Sequence, residues 1–298
     1  MRRCWLLGMA LSAWIVTAIA GTQPILVLQS DFGTLDGAVA SMKGVAVGVS
    51  PDIHIYDLTH HIEPFNIWQG ALRLVQTAEY WPAGTVFVSV VDPGVGTDRK
   101  SIVLKTKSGH YFVTPDNGTL TFVAPRLGIE AVREIDEAVN RRKNSEKSFT
   151  FHGRDVYAYT AARLAAGIIT FEQVGRELPP AVVTIPHERA RFDDGVVYGN
   201  VQTADGNYGN LWTNVDRETF GKLGASIGDP LKIRILKGGE EVLNLDAPYF
   251  LTFGAAEIGK PLLYMNSLDS VSLAINQGDF ANHYRIGSGP EWSIQIRR

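Results

Sequence analysis

The sequence predicts an α/β protein with two domains, an N-terminal α/β sandwich around a mainly parallel sheet and a small C-terminal β-barrel. In residues 21–185, short apolar runs alternate with helix-length segments, which is the rhythm of βαβ units. From Gly195 onward, alternating apolar runs are broken by glycine about every eight to twelve residues, as in small barrels and sandwiches. A proline-containing stretch separates the two patterns, so we place the domain boundary near residue 185 and assign residues 186–298 to the barrel.

The composition is that of an ordinary globular protein. The chain has 298 residues, of which 45% are hydrophobic and 20% charged, and this length fits two modest domains. The formal net charge is −3, and the basic residues are scattered except for the short cluster at residues 141–143. Because nucleic-acid binding needs a basic surface, we expect no nucleic-acid partner.

The N-terminus has the pattern of a secretory signal peptide. Arg2 and Arg3 precede an apolar stretch at residues 5–19, and a small-residue cleavage site ends at Ala20. The apolar stretch is shorter than the roughly 20 residues of a spanning helix, so we favour cleavage after residue 20 over a membrane anchor. The expected mature protein is exported, periplasmic or secreted, without stable membrane insertion. The only cysteine, Cys4, would be removed, which leaves no disulfide or thiol nucleophile.

The N-terminal half predicts alternating strands and helices. Residues 24–29 are almost wholly apolar, as in a parallel strand buried on both faces, and an acidic loop with glycines follows at residues 30–37. The later predicted elements are a helix at 37–49, a strand at 53–58, a helix at 65–81, a strand at 85–91, a hairpin of 102–105 with 111–114, and a helix at 156–167. The polar stretch 140–148 is predicted to be mobile.

The C-terminal half predicts mainly strands. Their positions are residues 196–203, 231–237, 249–253, 262–266 and 292–296, with one short helix at 217–223.

The strand at residues 85–91 ends directly before the most informative loop. Asp92 begins a Pro-Gly-Val-Gly turn, and Arg99 closes it. Open α/β sheets bind ligands at the C-terminal ends of their strands, so Asp92 and Arg99 are candidate site residues. His152, in the loop that opens the helix at 156–167, is the third. From the residues alone, a salt bridge beside a structural histidine is the safer interpretation.

Two other groups of residues resemble functional sites. Residues 224–228 match the nucleophile pattern G-x-S-x-G, but the serine follows a predicted helix and precedes a strand, the reverse of the required context. His60, His61, Asp57 and Asp116 lack the ligand spacing of known metal motifs, so we expect no metal. Adjacent histidines usually point apart, which predicts one packed and one exposed ring. A metal-dependent phosphoesterase remains a minor alternative.

Six ordered motifs carry a resemblance that spans essentially the whole mature chain. They are SDFGTLD at residues 30–36, VDPGVGTDR at 91–99, PDNG at 115–118, TFHGRD at 150–155, YGNLWTN at 208–214 and Asn266-Ser267. In order and approximate spacing, the series resembles the S-adenosylmethionine hydroxide adenosyltransferase family. These are adenosine-forming S-adenosylmethionine hydrolases related to the fluorinase and chlorinase.

The resemblance implies a role for particular residues. The implied water-handling triad is Asp92, Arg99 and His152; the implied substrate contacts are Asp31 to the ribose hydroxyls, Asp205 and Asn210 to the methionine amino group, Ser267 to its carboxylate, and Phe65 and Tyr208 as walls. Trp212 is a weaker assignment. The family also implies a homotrimer, with each site shared between one N-terminal domain and the neighbour's C-terminal domain. S-adenosylmethionine would be the substrate, with no cofactor.

Two positions bear on the choice between water and halide. The halogenases have a tyrosine at the position of Asp92, and the fluorinase has a serine at Gly153 and an extra loop, so the resemblance favours water. The chain departs from the family pattern after Asp155 and at residues 276–279, around the expected adenine contacts.

The implied reaction is displacement at ribose C5′ with a neutral thioether as leaving group, which needs help only at the nucleophile. Either Asp92 or His152 could be the base. The alternative from another class is an exported, non-catalytic protein that binds S-adenosylmethionine or adenosine.

Overall fold

The computed structural model describes residues 23–298. The predicted signal peptide and Cys4 therefore lie outside the described residues. Within the described part, no helix combines the length and the apolar character needed to cross a bilayer.

A seven-stranded mixed sheet forms the centre of the N-terminal part, with the order β2-β1-β3-β5-β4-β6-β7. Its strands are β1 (Ile25–Ser30), β2 (His54–Thr59), β3 (Val86–Val90), β4 (Ser101–Thr106), β5 (Tyr111–Pro115), β6 (Ile129–Glu134) and β7 (Glu177–Leu178). The pairs β1-β2, β1-β3 and β3-β5 are parallel, and the other three pairs are antiparallel. The parallel half thus contains the two strands, β1 and β3, that lead into the predicted site loops.

Helices cover both faces of this sheet. They are α1 (Ala38–Val49), α2 (Ile67–Ala78), α3 (Val123–Leu127) and α4 (Tyr159–Ala165), with a π-helical turn at Gly153–Ala158 before α4 and a 3₁₀ turn at Phe171–Val174. Side chains of β1 alternate between the two layers: Leu26 and Leu28 pack with α1 and α4, whereas Val27 packs with α2 and α3. Burial on both faces explains why this strand is a continuous apolar run.

The C-terminal part is an antiparallel, nearly closed barrel with the order β12-β11-β15-β9-β10-β14-β13, and β8 pairs with β9. The strands are β8 (Arg191–Asp193), β9 (Val196–Ala204), β10 (Leu211–Asp216), β11 (Pro230–Lys237), β12 (Glu240–Pro248), β13 (Pro261–Met265), β14 (Ser270–Ile275) and β15 (Trp292–Arg297). Two short helices, α5 (Arg217–Gly221) and α6 (Phe280–Tyr284), accompany them. A bridge between Tyr249 and Leu263 brings the two ends of the sheet together. The predicted fold class, an α/β domain followed by a small barrel, is confirmed.

One predicted strand of the barrel was wrong, and several observed strands were not predicted. The strand predicted at residues 249–253 is wrong, because β12 ends at Pro248 and a 3₁₀ turn occupies Phe253–Ala255. We did not predict β10, β12 or β14. β12 lies at the sheet edge and is largely exposed, so its alternation of apolar and charged residues is weak. The Gly238-Gly239 pair, with both φ angles positive, forms the tight hairpin turn that precedes it and could have revealed this strand.

Residues 140–148, predicted to be a mobile polar stretch, do not form a freely exposed loop. Asn140 is buried and donates from Nδ2 to the carbonyl oxygens of Gln173 at 3.0 Å and Val174 at 2.8 Å. Ser145 is also buried. This packing brings the segment against the N-terminal end of the π-helical turn.

The two parts of the chain contact each other through α2 and the segment before the barrel. Trp68 in α2 donates from its indole nitrogen to the carbonyl oxygen of Gln202 in β9 at 2.8 Å. Amide groups of Val183 and Ile185 donate to Asp116 and Thr121, at 2.8 and 2.9 Å. The connecting segment is therefore hydrogen-bonded to the first domain up to residue 185. The domain boundary itself stays a prediction.

Candidate functional site

The loop after β3 presents a carboxylate at the C-terminal end of the parallel half of the sheet. Val90 and Val91 are buried, and the Asp92 carbonyl accepts the amide hydrogen of Val95 at 3.2 Å in the turn that follows. Gly96 has φ +80°, and a Cβ there would lie 2.9 Å from the Phe149 carbonyl oxygen. A glycine is thus required for the loop to approach the second site loop so closely.

Arg99 returns from this loop to bind Asp92. Its Nε donates to Oδ1 at 2.9 Å and to Oδ2 at 3.0 Å, and Nη2 donates to Oδ2 at 2.5 Å. The Asp92 side chain is only 4% exposed and that of Arg99 11%. Burial by itself would lower the pKa of Arg99, but the bonds to Asp92 and nearby negative charges raise it above its usual value. Arg99 therefore stays positively charged.

His152 completes the group. It lies directly before the π-helical turn, and Arg99 Nη2 is 2.9 Å from its Nδ1. A Cβ on the next residue, Gly153, would lie 3.2 Å from Val90 and 3.3 Å from Phe32, so a small residue lets the turn pack against β3. Burial lowers the pKa of His152, and two guanidinium groups lower it further against the opposing effect of carboxylates. The imidazole is therefore neutral near pH 7.

Two buried hydroxyl groups support Arg99 and were not predicted. Arg99 Nη1 donates to Ser101 Oγ at 3.3 Å, and this oxygen is 3.1 Å from the hydroxyl of Tyr157. The guanidinium carbon lies 5.8 Å from the centre of the Tyr157 ring. Burial raises the pKa of Tyr157 well above its usual value, so its hydroxyl keeps its proton. In the sequence, nothing but their position beside the predicted motifs marks these residues.

A second arginine also reaches His152 and was missed. Arg141 Nη2 lies 3.1 Å from His152 Nε2, on the opposite side of the ring from Arg99. The sequence showed only a basic cluster at residues 141–143. Its path to the imidazole depends on how residues 135–148 fold.

Around this group is a cavity of about 230 Å³. Its lining residues are Asp31, Phe32, Pro64, Phe65, Val90, Asp92, Val95, Thr150, Phe151, His152 and Gly153. Four predicted site residues, Asp31, Phe65, Asp92 and His152, thus share one cavity, and Arg99 lies behind Asp92. The Phe65 amide donates to Asp31 Oδ2 at 2.9 Å, and the Phe65 ring is 72% exposed at the rim.

A buried histidine supports the loop that carries Asp31. Ser30 Oγ is 2.7 Å from His60 Nδ1, and His60 Nε2 is 3.0 Å from Asp57 Oδ1. His61 is exposed, so the prediction of one packed and one exposed histidine is confirmed. Within residues 23–298, no three His, Cys, Asp or Glu side chains are grouped in an arrangement that could hold a metal ion.

This burial predicts a pH dependence of stability. Desolvation lowers the pKa of His60 in the folded state, so the unfolded chain binds more protons as the pH falls through about 6.5. The free energy of unfolding should decrease on acidification from that pH down to the lower folded-state pKa. We expect the free energy of unfolding, measured in urea, to differ less between pH 7.5 and pH 5.5 for His60→Gln than for the unaltered protein. His61→Gln is the matched control; an equal effect of both substitutions would contradict the prediction.

The barrel carries a separate cavity of about 480 Å³. It is lined by Asn207, Tyr208, Asn210, Phe253, Ile275, Asn276, Gln277, Gly278 and Asp279. Of the predicted residues it contains Tyr208 and Asn210, whereas Asp205 and Ser267 line neither this cavity nor the first. Within one chain, six of the predicted site residues are therefore divided between two cavities, four in the first and two in the second. Trp212, the weaker assignment, has a buried indole nitrogen without a hydrogen-bond partner among the described residues.

Gly209 fixes the loop between Tyr208 and Asn210. It has φ +65°, and a Cβ there would lie 1.8 Å from Asp279 Oδ1. We expect Gly209→Ala to destabilise the protein by about 2–4 kcal/mol, because the backbone conformation and the overlap both oppose a side chain. Gly206→Ala, in the same loop with nothing within 4 Å, should change stability by less than about 0.5 kcal/mol. Chemical denaturation of both variants checks this; equal stabilities would refute it.

Comparison with known proteins covers both domains. A family model described as the SAM hydroxide adenosyltransferase N-terminal domain matches residues 26–175, and the model of the C-terminal domain matches residues 199–293. An (R)-S-adenosyl-L-methionine hydrolase of Methanocaldococcus jannaschii is 39% identical over 226 residues, covering 74% of this chain and 77% of its own. A fluorinase of Actinopolyspora mzabensis is 30% identical over 302 residues, covering 93% and 98%.

The fold has a similar solved structure. The crystal structure of an uncharacterized conserved protein from Thermotoga maritima superposes with a TM-score of 0.82 at 36% identity, covering 92% of this chain and 100% of the other. The sequence matches to both domain models agree with this structural similarity. Both S-adenosylmethionine hydrolases and fluorinases are among the relatives. We conclude that the chain belongs to the SAM hydroxide adenosyltransferase family.

Proposed function

We propose that this protein cleaves S-adenosyl-L-methionine with water at ribose C5′ and releases adenosine and L-methionine. The observation that carries the proposal is the Asp92 carboxylate, which lines the cavity while Arg99 holds it from behind. A carboxylate at the position of the nucleophile repels a halide ion and can accept a proton from water. Its presence favours hydrolysis over halogenation.

In the proposed reaction, the oxygen of water forms a bond to C5′ while the bond between C5′ and sulfur breaks. The electron pair of that bond stays on sulfur, so the sulfonium becomes the neutral thioether of methionine. One proton is released from water. The leaving group needs no general acid, and the protein has to orient the water and accept its proton.

Hydrogen bonding favours Asp92 over His152 as the base. A neutral imidazole has one lone pair for hydrogen bonding, and both nitrogens of His152 face guanidinium groups. In contrast, Asp92 Oδ1 accepts only one N–H, from Arg99 Nε. A carboxylate oxygen can accept further bonds, so Asp92 can also hold a water molecule. Arg99 orients the carboxylate, and His152 fixes the guanidinium.

The remaining parts of the substrate would be held by the other predicted residues. Asp31 has one carboxylate oxygen engaged by the Phe65 amide, which leaves the other for the ribose hydroxyls. The Phe65 ring would cover the sulfonium and exclude water from it. The barrel would supply Asp205 and Asn210 for the methionine amino group and Ser267 for its carboxylate, with Tyr208 as a wall.

Because Asp31, Phe65, Asp92 and His152 line one cavity and Tyr208 and Asn210 line another, we propose that the site forms between subunits of a homotrimer. The Phe65 and Tyr208 rings, at the rims of the two cavities, are 72% and 65% exposed in the single chain. Joining one N-terminal cavity to the neighbour's barrel would bury both rings and complete each site. We also propose that the protein is exported, from the signal-peptide pattern at residues 1–20.

The test is to incubate the purified protein with S-adenosylmethionine in halide-free buffer with chelator, and to resolve the products by chromatography. We expect adenosine and methionine in equal amounts, unchanged when fluoride or chloride is added. A 5′-halogenated nucleoside as the main product would overturn the proposal, and so would loss of activity on chelation. Saturable binding in calorimetry without turnover would indicate the non-catalytic binding protein instead.

A further inference from the structure

The segment after β6 places an ion pair against the outer side of His152. Arg141 Nη2 bonds to Glu137 Oε2 at 2.5 Å and lies 3.1 Å from His152 Nε2. We propose that Glu137 and Arg141 are positioning residues of the water-activating group: Glu137 holds the Arg141 guanidinium against the outer side of the ring, where its positive charge opposes protonation of His152 and so preserves the contact of the neutral ring with Arg99. This inference rests on the proposed hydrolase function and adds two residues to its machinery.

Arg141 is held too firmly for an incidental surface contact. Its side chain is only 8% exposed, and Nη1 donates to the carbonyl oxygens of Ser148 at 3.1 Å and Ser145 at 3.4 Å. The neighbouring Asn140 is buried, and its carbonyl accepts the Thr160 hydroxyl at 2.9 Å. Backbone and side-chain bonds therefore fix where the guanidinium points.

The hydrogen-bonding capacity of the imidazole determines how the contact with Arg141 affects its protonation. The charged form carries N–H on both nitrogens, and both would face guanidinium donors from Arg99 and Arg141. The neutral form can accept from one arginine only. A neutral ring therefore accepts either from Arg99 at Nδ1, over 2.9 Å, or from Arg141 at Nε2, over 3.1 Å. Arg141 gives its other hydrogens to Glu137 and to the two carbonyl groups.

The groups that face His152 oppose one another in charge. Asp92 and Arg99 come from the loop after β3, Glu137 and Arg141 from the segment after β6, and the Tyr157 ring from the π-helical turn, with its centre 6.4 Å away. Besides burial, the two arginines lower the pKa of His152, whereas Glu137 and Asp92 raise it. Without Arg141, the Glu137 carboxylate would be free to stabilise an imidazolium.

A charged His152 would disturb the base. Arg99 Nη2 bonds to both Asp92 Oδ2 and His152 Nδ1, so an imidazolium would repel the guanidinium that orients the carboxylate. It would also attract the Asp92 carboxylate and compete for the proton of water. By opposing a positive charge on His152, Arg141 thus protects the geometry of Asp92 and Arg99 at the acidic end of the working pH range, and Glu137 holds Arg141 in place.

The substitutions Arg141→Met and Glu137→Gln are expected to shift the pKa of His152 in opposite directions, which the loss of a merely structural contact would not do. Arg141→Met removes a positive charge and releases Glu137, so the pKa of His152 should rise. Glu137→Gln removes the negative charge, so the pKa of His152 should fall. For Arg141→Met we expect kcat to fall about tenfold with KM changed less than about twofold, and the acidic limb of the kcat profile to move to higher pH. Arg141→Lys should restore part of the kcat.

The direct readout is the titration of His152 by nuclear magnetic resonance of ¹⁵N-labelled histidine, assigned with a His152→Gln variant. Lys143→Met, which removes an exposed positive charge from the same basic cluster, is the control and should leave the titration unchanged. Shifts of the same sign in Arg141→Met and Glu137→Gln, or no shift in either, would overturn the inference. Because the titration does not require turnover, it tests this pair even if the protein proves not to hydrolyse S-adenosylmethionine.

Discussion

Replacing Asp92 by asparagine should reduce turnover of S-adenosylmethionine by about 10²–10⁴-fold while leaving substrate binding within a few-fold of its normal strength. The amide keeps the size of the side chain and can still accept bonds from Arg99, but it cannot take a proton from water. Binding is expected to persist because Asp31 and the barrel residues hold the substrate. The measurements are adenosine formation by chromatography and the dissociation constant by calorimetry.

Asp98→Asn is the matched control, since Asp98 is an exposed carboxylate in the same loop. The Asp98→Asn variant should retain nearly full activity, which would show that losing a negative charge in this loop is not sufficient to abolish turnover. If Asp92→Asn also kept its activity, Asp92 could not be the base, and the argument from the occupied nitrogens of His152 would fail.

Subunits with complementary defects should restore each other's activity. Asp92→Asn damages the N-terminal cavity, and a Tyr208→Ala, Asn210→Ala variant damages the barrel cavity. If each site combines one subunit's N-terminal domain with its neighbour's barrel, trimers assembled at random from equal amounts should contain about one intact site in four. We therefore expect about a quarter of normal turnover after co-expression, although each variant alone is nearly inactive.

The same mixture distinguishes the two possible arrangements. If each site lay within a single subunit, every site in the mixture would carry one of the defects, and activity would not exceed the sum of the separate variants. Mixing the variants only after purification provides a control, because subunits that do not exchange should then give no recovery.

Part of the N-terminal site could be predicted from the residues alone, because buried parallel strands give continuous apolar runs and their C-terminal ends meet at one edge, where Asp92 follows β3. Asp31 came only from the family resemblance, and the same geometry explains why it lines the same cavity after β1. The helix-opening position of His152 followed from the break before an alanine-rich run. Arg99 was placed correctly beside Asp92 because a glycine turn reverses the chain between them.

Other features depend on tertiary packing that local patterns do not encode. The helix predicted at residues 156–167 begins as a π-helical turn at Gly153–Ala158, and π turns leave no distinct periodicity in the sequence. Arg141 reaches His152 only because buried Asn140 anchors an otherwise polar segment. The resemblance implied a site shared between subunits, and the structure adds that Asp31, Phe65, Asp92 and His152 line one cavity of the chain whereas Tyr208 and Asn210 line another.

Attack of water on ribose C5′ can be followed by running the reaction in H₂¹⁸O and analysing both products by mass spectrometry. We expect adenosine with one ¹⁸O atom on its 5′ carbon and methionine with none. Unlabelled adenosine, label in methionine, or methylthioadenosine as the nucleoside product would contradict it.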